Sequence, residues 1–256
     1  MNARRTIFVA GAGGAIGLRL CPLLVEAGWT VIGTTRSHEK ATALKAMGVE
    51  PVIVDVFDAD MLKKAVRRAR PDVVMHQLTD LPPALDPARM EQARVRNARI
   101  REEGTANLVA AAVAAGAGRL VAQSIAFAYA PGTTPYREDA PLALDDPGLG
   151  LTARAVASLE EQVLNAPMDG VVLRYGRLYG PGTGFDSPNG DGPLHVDAAA
   201  YAALLAATGE ESGVYNVAED DGMVSSEKVL TSLGWRADFR LTGLPGDSIV
   251  GGRHVT

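Results

Sequence analysis

Cysteine is nearly absent from this chain. A single Cys21 in 256 residues excludes an internal disulfide framework and fits a reducing compartment. Aromatic residues make up only 5%, so any core must be aliphatic and alanine-rich. No apolar run reaches the roughly 18 residues that a membrane span needs. The opening MNARRTIFVAGAGGAIG has the basic-then-apolar order of an export signal, but glycines interrupt it and Arg19 stands where such a segment should still be apolar. A cytoplasmic location is the expectation. Positive charge is not in excess either: the net charge is −5, which argues against nucleic acid held through its phosphates. The four histidines show no metal-ligand spacing. Lysine is the scarcest charge. Only five stand beside twenty arginines, and none lies between Lys64 and Lys228.

Hydrophobic residues at 47% and charged residues at 21% are enough for a sizeable core. Short β-branched runs alternate with helical stretches: strands at Thr6–Ala10, Trp29–Thr35, Val52–Val54, Val73–His76, Leu120–Ala122 and Val171–Tyr175. These strands lack polar alternation, so the spacing predicts an α/β fold with a doubly wound parallel sheet covered on both faces. Two helices stand out, one over Pro87–Ala115 and one over Thr152–Leu164. After Gly180 the texture changes to a Gly/Pro/Asp loop, then a helix near Asp197–Thr208, a strand GVYNV and a helix near Ser225–Leu233. The expected division is a nucleotide-binding domain over 1–180 and a small C-terminal α/β satellite over 181–256, partly interleaved with it.

Gly11, Gly14 and Gly17 fall between the first strand and the first helix. There a GxxGxxG turn brings backbone N–H groups to a pyrophosphate at a helix N-terminus, as in the Rossmann fold. Ala15 and Ile16 belong to the same turn. A NAD-binding protein usually ends its second strand on Asp or Glu. This chain has Thr35-Arg36-Ser37, and a guanidinium suits a 2′-phosphate, so NADP is expected ahead of NAD.

The segment Ile7-Phe8-Val9-Ala10-Gly11-Ala12-Gly13-Gly14-Ala15-Ile16-Gly17 resembles the opening of extended or atypical short-chain dehydrogenases/reductases, the NAD(P)-dependent epimerase/dehydratase group. Glu103-Gly104-Thr105-Ala106-Asn107-Leu108, Arg174-Tyr175-Gly176-Arg177-Leu178-Tyr179-Gly180-Pro181-Gly182, His195-Val196-Asp197 and Gly213–Val217 continue the likeness. The resemblance implies that Asp55 and Val56 lie by the adenine. It also implies that Gln77, Leu78, Gln123, Tyr175 and Gly176 approach the cofactor, and that Ser124 lies in the catalytic serine region.

The family's chemistry rests on Tyr-x-x-x-Lys before the sixth strand, where Lys lowers the Tyr pKa. That helix here reads GLTARAVASLEEQVL, and none of the six tyrosines has Lys four positions later. Replacement acids are Tyr129, Tyr136, Tyr175, Tyr179 or His195, with Arg154 a substitute cation and His76 read as packed. The expected catalytic set is Ser124 orienting a substrate oxygen, with Tyr175 or Tyr179 as relay. The function that follows is an NADP-dependent oxidoreductase or epimerase-like enzyme acting on a small carbonyl or hydroxyl substrate. The short segment after Pro181 argues against bulky nucleotide sugars. The alternative is a non-catalytic cofactor-binding redox sensor. Alanine-rich stretches in the two prominent helices suggest a homodimer.

Overall fold

The computed structural model describes residues 5–82 and 85–241. The extreme N-terminus and the tail that carries His254 lie outside the described residues. Strand β1 (Thr6–Ala10) shows how the core is laid out. Ile7 and Val9 point to one face and Phe8 and Ala10 to the other, and all four are buried. A strand with no polar face can only be central.

Around it the sheet runs β3 (Glu50–Ile53), β2 (Thr30–Thr35), β1, β4 (Val73–His76), β5 (Arg119–Ile125), β6 (Asp169–Tyr175) and β9 (Gly213–Val217). Every pairing is parallel. This is the doubly wound order with one added edge strand, so ligands belong at the carboxyl ends of β1 and β4, where the order reverses.

One face carries α1 (Ala15–Glu26) and α7 (Val196–Thr208), whose alanines let it lie close; Leu20, Leu24, Ala199, Ala203 and Trp235 share this core. Trp235 Nε1 donates to the Ala198 carbonyl at 2.8 Å. The other face carries α3 (Ala59–Ala69), α5 (Thr105–Ala115) and α6 (Gly150–Leu164), through Leu62, Val66, Leu108, Leu159 and Val163. Side-chain caps start α2 (His38–Ala46), where Ser37 accepts from Lys40 N, and α3, where Asp58 accepts from Met61 N.

The structure departs from the sequence reading at several elements. The single helix expected over Pro87–Ala115 is α4 (Pro87–Arg99), a π turn (Ile100–Gly104) and α5. Gly104 lets the turn lie against Val56, whose Cγ1 would be 3.2 Å from an added Cβ, and Thr105 meets His76 Nε2 at 3.1 Å. Within the Gly/Pro region, β7 (Arg177–Tyr179) pairs with β8 (Pro193–His195). Residues 181–241 thus supply β8, α7, the seventh sheet strand β9 and α8 (Glu227–Leu233), with α7 buried in the same core as β1. Among the described residues no helix is long and apolar enough to cross a membrane.

Candidate active site

The glycine loop is built under tight contact. Gly11 has φ +92°, and a Cβ there would lie 2.4 Å from the Gln77 carbonyl oxygen. A Cβ on Gly17 would lie 2.5 Å from the carbonyl oxygens of both Gly11 and Ala12. Gly14 differs: its N–H donates to Gly11 O at 3.0 Å, and an added Cβ meets only that oxygen, at 3.3 Å. Folding therefore demands Gly11 and Gly17, whereas Gly14 leaves open space at the N-terminus of α1, where an anion is favoured.

An open cleft lies there. It brings together Gly11, Gly14, Thr35, Arg36, Asp55, Val56, Gln77 and Leu78, all singled out in the sequence. Asn107 Nδ2 holds the Val56 carbonyl at 2.9 Å, and Asp55 Oδ1 accepts from Phe57 N at 2.9 Å, so the wall opposite the glycine loop is fixed. The Gln77 side chain is buried, and its carboxamide lies within reach of the Tyr175 hydroxyl without a well-formed hydrogen bond to either amide atom among the described residues. A buried, under-satisfied amide in a cleft can be completed by a ligand's polar atoms. A dinucleotide fits these features: phosphates on the glycine loop, adenine by Asp55 and Val56.

Arg36 and Lys40 stand on one side of the cleft. Arg36 is exposed and 3.8 Å from Asp80, which also pairs with Arg96 at 3.1 Å. Lys40 Nζ donates to the Gly13 carbonyl at 3.0 Å. No acid stands at the end of β2.

The other expected residues lie elsewhere. Ala15 and Ile16 form the first turn of α1 and Gly17 underlies it. Gln123 is half-buried near the end of β5, opposite Leu173. Gly176 N donates to Val217 O at 2.9 Å, and a Cβ on Gly176 would strike the Gly192 carbonyl.

At the end of β5, Ser124 is 1% exposed and donates its hydroxyl to Glu160 Oε1 at 2.7 Å. Arg174 grips the same carboxylate with Nε at 2.9 Å and Nη2 at 2.6 Å. Burial opposes the Arg174 charge, but its hydrogen bonds to Glu160 and the negative charge of that carboxylate, with a further part from Tyr129, together raise its pKa above the ordinary value. Arg174 Nη1 also donates to Tyr129 Oη at 3.0 Å, and Tyr129 donates to Asn216 Oδ1 at 2.5 Å. Since its proton is spent on Glu160, Ser124 offers a substrate only lone pairs. It can accept a hydrogen bond; it cannot donate one in this arrangement.

The relay expected from the tyrosines is not formed. Tyr175 points to the α7 face, opposite its neighbour Arg174, and donates to the Ala199 carbonyl at 3.1 Å. Burial pushes its phenol far above the ordinary range. Tyr179 donates to Glu219 at 2.8 Å and accepts from Arg240 at 3.1 Å; burial and then Glu219 raise its pKa. Tyr136 stacks on Tyr129 at 5.0 Å and accepts from Gly132 N. His195 caps α7 by accepting from Asp197 N at 3.1 Å, and burial, then Arg240, lowers its pKa. Arg154 is exposed and donates to the Leu144 carbonyl, so it is no substitute for the absent Lys. His76 is packed, as its position suggests, and burial brings its pKa down to about 4. Among the described residues no group of His, Cys, Asp and Glu could hold a metal.

Glu160 and Arg174 were missed in the sequence. The available signal was a charge inside the apolar strand VVLRY and an acid on the apolar side of a helix, since each buried charge implies a partner.

The sequence profile of the NAD dependent epimerase/dehydratase family matches residues 7–212. The chain belongs to this family. A 3-diazoavenalumate denitrifying reductase from a Streptomyces species is 43% identical over 237 residues, 84% of this chain and 76% of that protein. A 2-alkyl-3-oxoalkanoate reductase of Stenotrophomonas maltophilia is 32% identical over 69% of this chain and 52% of its own length. Among solved structures, the Bordetella bronchiseptica enzyme WbmG in complex with NAD superposes with a TM-score of 0.73 at 20% identity, covering 94% of this chain and 91% of that one. Thermus thermophilus UDP-glucose 4-epimerase with NAD gives 0.72 at 21% identity, over 92% and 95%. The family member described here is therefore a nicotinamide-cofactor enzyme of the short-chain dehydrogenase/reductase class.

Proposed function

We propose that this enzyme is an NADPH-dependent reductase whose substrate accepts hydride without a proton from the enzyme, and that the substrate class is a diazo-bearing carboxylate. One observation carries the reading: the cofactor cradle is intact while the proton-delivering apparatus is gone. No Tyr-x-x-x-Lys exists, and the Ser124 proton is held by Glu160. NADPH, when bound, supplies a hydride. Reduction of a carbonyl would leave an alkoxide that needs a nearby acid. Reduction of a diazonium-type group leaves none: R–N₂⁺ plus hydride gives R–H plus N₂, with atoms and charge balanced. The relative whose name joins a diazo acid, loss of nitrogen and reduction supports this choice over the carbonyl substrate expected from sequence.

This chain's residues would then bind and orient. The glycine loop and α1 hold the phosphates, Arg36 with Lys40 favours the 2′-phosphate, and Gln77 satisfies its amide on the cofactor. The buried Ser124–Glu160–Arg174 network is a fixed polar cluster near the carboxyl ends of β5 and β6. A cytoplasmic homodimer completes the reading. The test is NADPH absorbance with 3-diazoavenalumate beside a panel of aldehydes, ketones and quinones. NADPH loss with the diazo acid alone, with matching release of N₂, is expected; consumption with carbonyls and none with the diazo acid would refute the proposal.

A further inference from the structure

One charge within electrostatic reach of Glu160 has no hydrogen-bond or ion-pair partner among the described residues. Arg101 stands on the π turn Ile100–Gly104, which is tied to α6 where Gln162 Nε2 donates to the Glu102 carbonyl at 3.2 Å. The guanidinium is within electrostatic reach of Glu160 on α6 and of His76 at the end of β4. Among the described residues none hydrogen-bonds to it or forms an ion pair with it. The residue is half-buried, and its nitrogens are not sealed from solvent. Burial brings its pKa down to about 10, so it stays charged at neutral pH.

The surrounding acids are already engaged. Glu160 is taken up by Ser124 and by both arms of Arg174. Glu103, on the same turn, pairs with Arg99 at 2.7 Å. His76 is neutral and occupied by Thr105. A cation partly withdrawn from water and without an ion pair is explained when a ligand brings the anion. The planar fork of arginine matches a carboxylate bidentately.

We propose that Arg101 binds the carboxylate of the substrate, its unpaired guanidinium on the π turn receiving the acid group beside the Ser124–Glu160–Arg174 network. The assignment rests on the reductase reading and adds to it the residue that selects an anionic substrate. A phosphate of the cofactor would suit the same fork, so the test separates the two sources. Benzoate and neutral benzamide are titrated by calorimetry into protein saturated with NADP⁺. Benzoate is expected to bind at least ~10-fold tighter than benzamide. Arg101→Gln should reduce that preference to within about twofold while NADP⁺ affinity changes by less than about twofold. Arg101→Lys, which keeps the charge, should retain part of the preference even if the glutamine variant folds poorly. Equal binding of benzoate and benzamide to the wild type would overturn the proposal. So would a loss of NADP⁺ affinity in Arg101→Gln as large as the loss for benzoate. Binding needs no turnover, so an inactive diazo assay would count against the reductase reading and leave this result legible.

Discussion

Gly14 and Gly17 look alike in the sequence, yet their surroundings differ. The carbonyls around Gly17 leave no room for a Cβ, so Gly17→Ala should cost about 1–3 kcal/mol or more in unfolding free energy. Gly14→Val should fold, because only Gly11 O is near, but lose dinucleotide binding as the side chain enters the phosphate space. Thermal melts with and without NADP⁺ distinguish the two. Arg36 is exposed on the cleft rim, and Arg36→Ala removes a charge-assisted bond of roughly 1.5–3 kcal/mol. NADP⁺ affinity should therefore fall ~10- to 100-fold with NAD⁺ affinity nearly unchanged. Equal loss for both cofactors would mean that Arg36 does not read the 2′-phosphate. The cofactor half of the site was legible because its signal is local: glycine spacing and the end of the second strand lie within thirty residues. The chemical half was not. Ser124, Glu160 and Arg174 come from three elements, and only the fold shows that the serine proton is committed. Breaking that pair by Glu160→Ala should destabilise the enzyme by about 3–5 kcal/mol, since it strands a buried guanidinium. Denaturant titration measures it.

At the scale of elements, the strands were legible because a fully buried parallel strand has no polar face, and β1, β2, β4 and β6 announce themselves by that. Strand β3 starts two residues and ends one residue before the expected Val52–Val54, as its half-exposed pattern gives a weak signal. Strands β7 and β8, three residues each, are too short to stand out from a Gly/Pro region. The π turn is invisible to helical periodicity because every residue on either side of it is helix-compatible; its cause is tertiary, the approach to Val56 and the Thr105–His76 contact. That contact makes a pH prediction. His76 is held neutral in the fold, at about 4 against an ordinary 6.5, so the unfolded chain binds the extra proton between these values. Its contribution is complete above about pH 6.5 and is lost as the pH falls toward 4, up to about 3 kcal/mol. Equilibrium unfolding across this window checks the sign, and His76→Gln should flatten the slope.

For the whole molecule, the expected homodimer needs a different surface from the one that suggested it. Ala111, Ala112, Ala153 and Ala155 are buried within the protomer. The same helices instead expose Val95, Val113, Leu151 and Leu164. If these cover one another across a two-fold axis, sedimentation at micromolar concentration gives twice the 26.8 kDa chain mass, and Val95→Glu with Leu151→Glu restores the single mass. A wild-type particle of one chain would dispose of the dimer. In the proposed reaction the enzyme delivers hydride and supplies no acid. This is tested most directly by the single-turnover rate of NADPH oxidation with 3-diazoavenalumate from about pH 6 to about pH 9. A rate flat across that range is expected. A rate falling about tenfold per pH unit above an apparent pKa would contradict it, because an enzyme acid would then be supplying the proton.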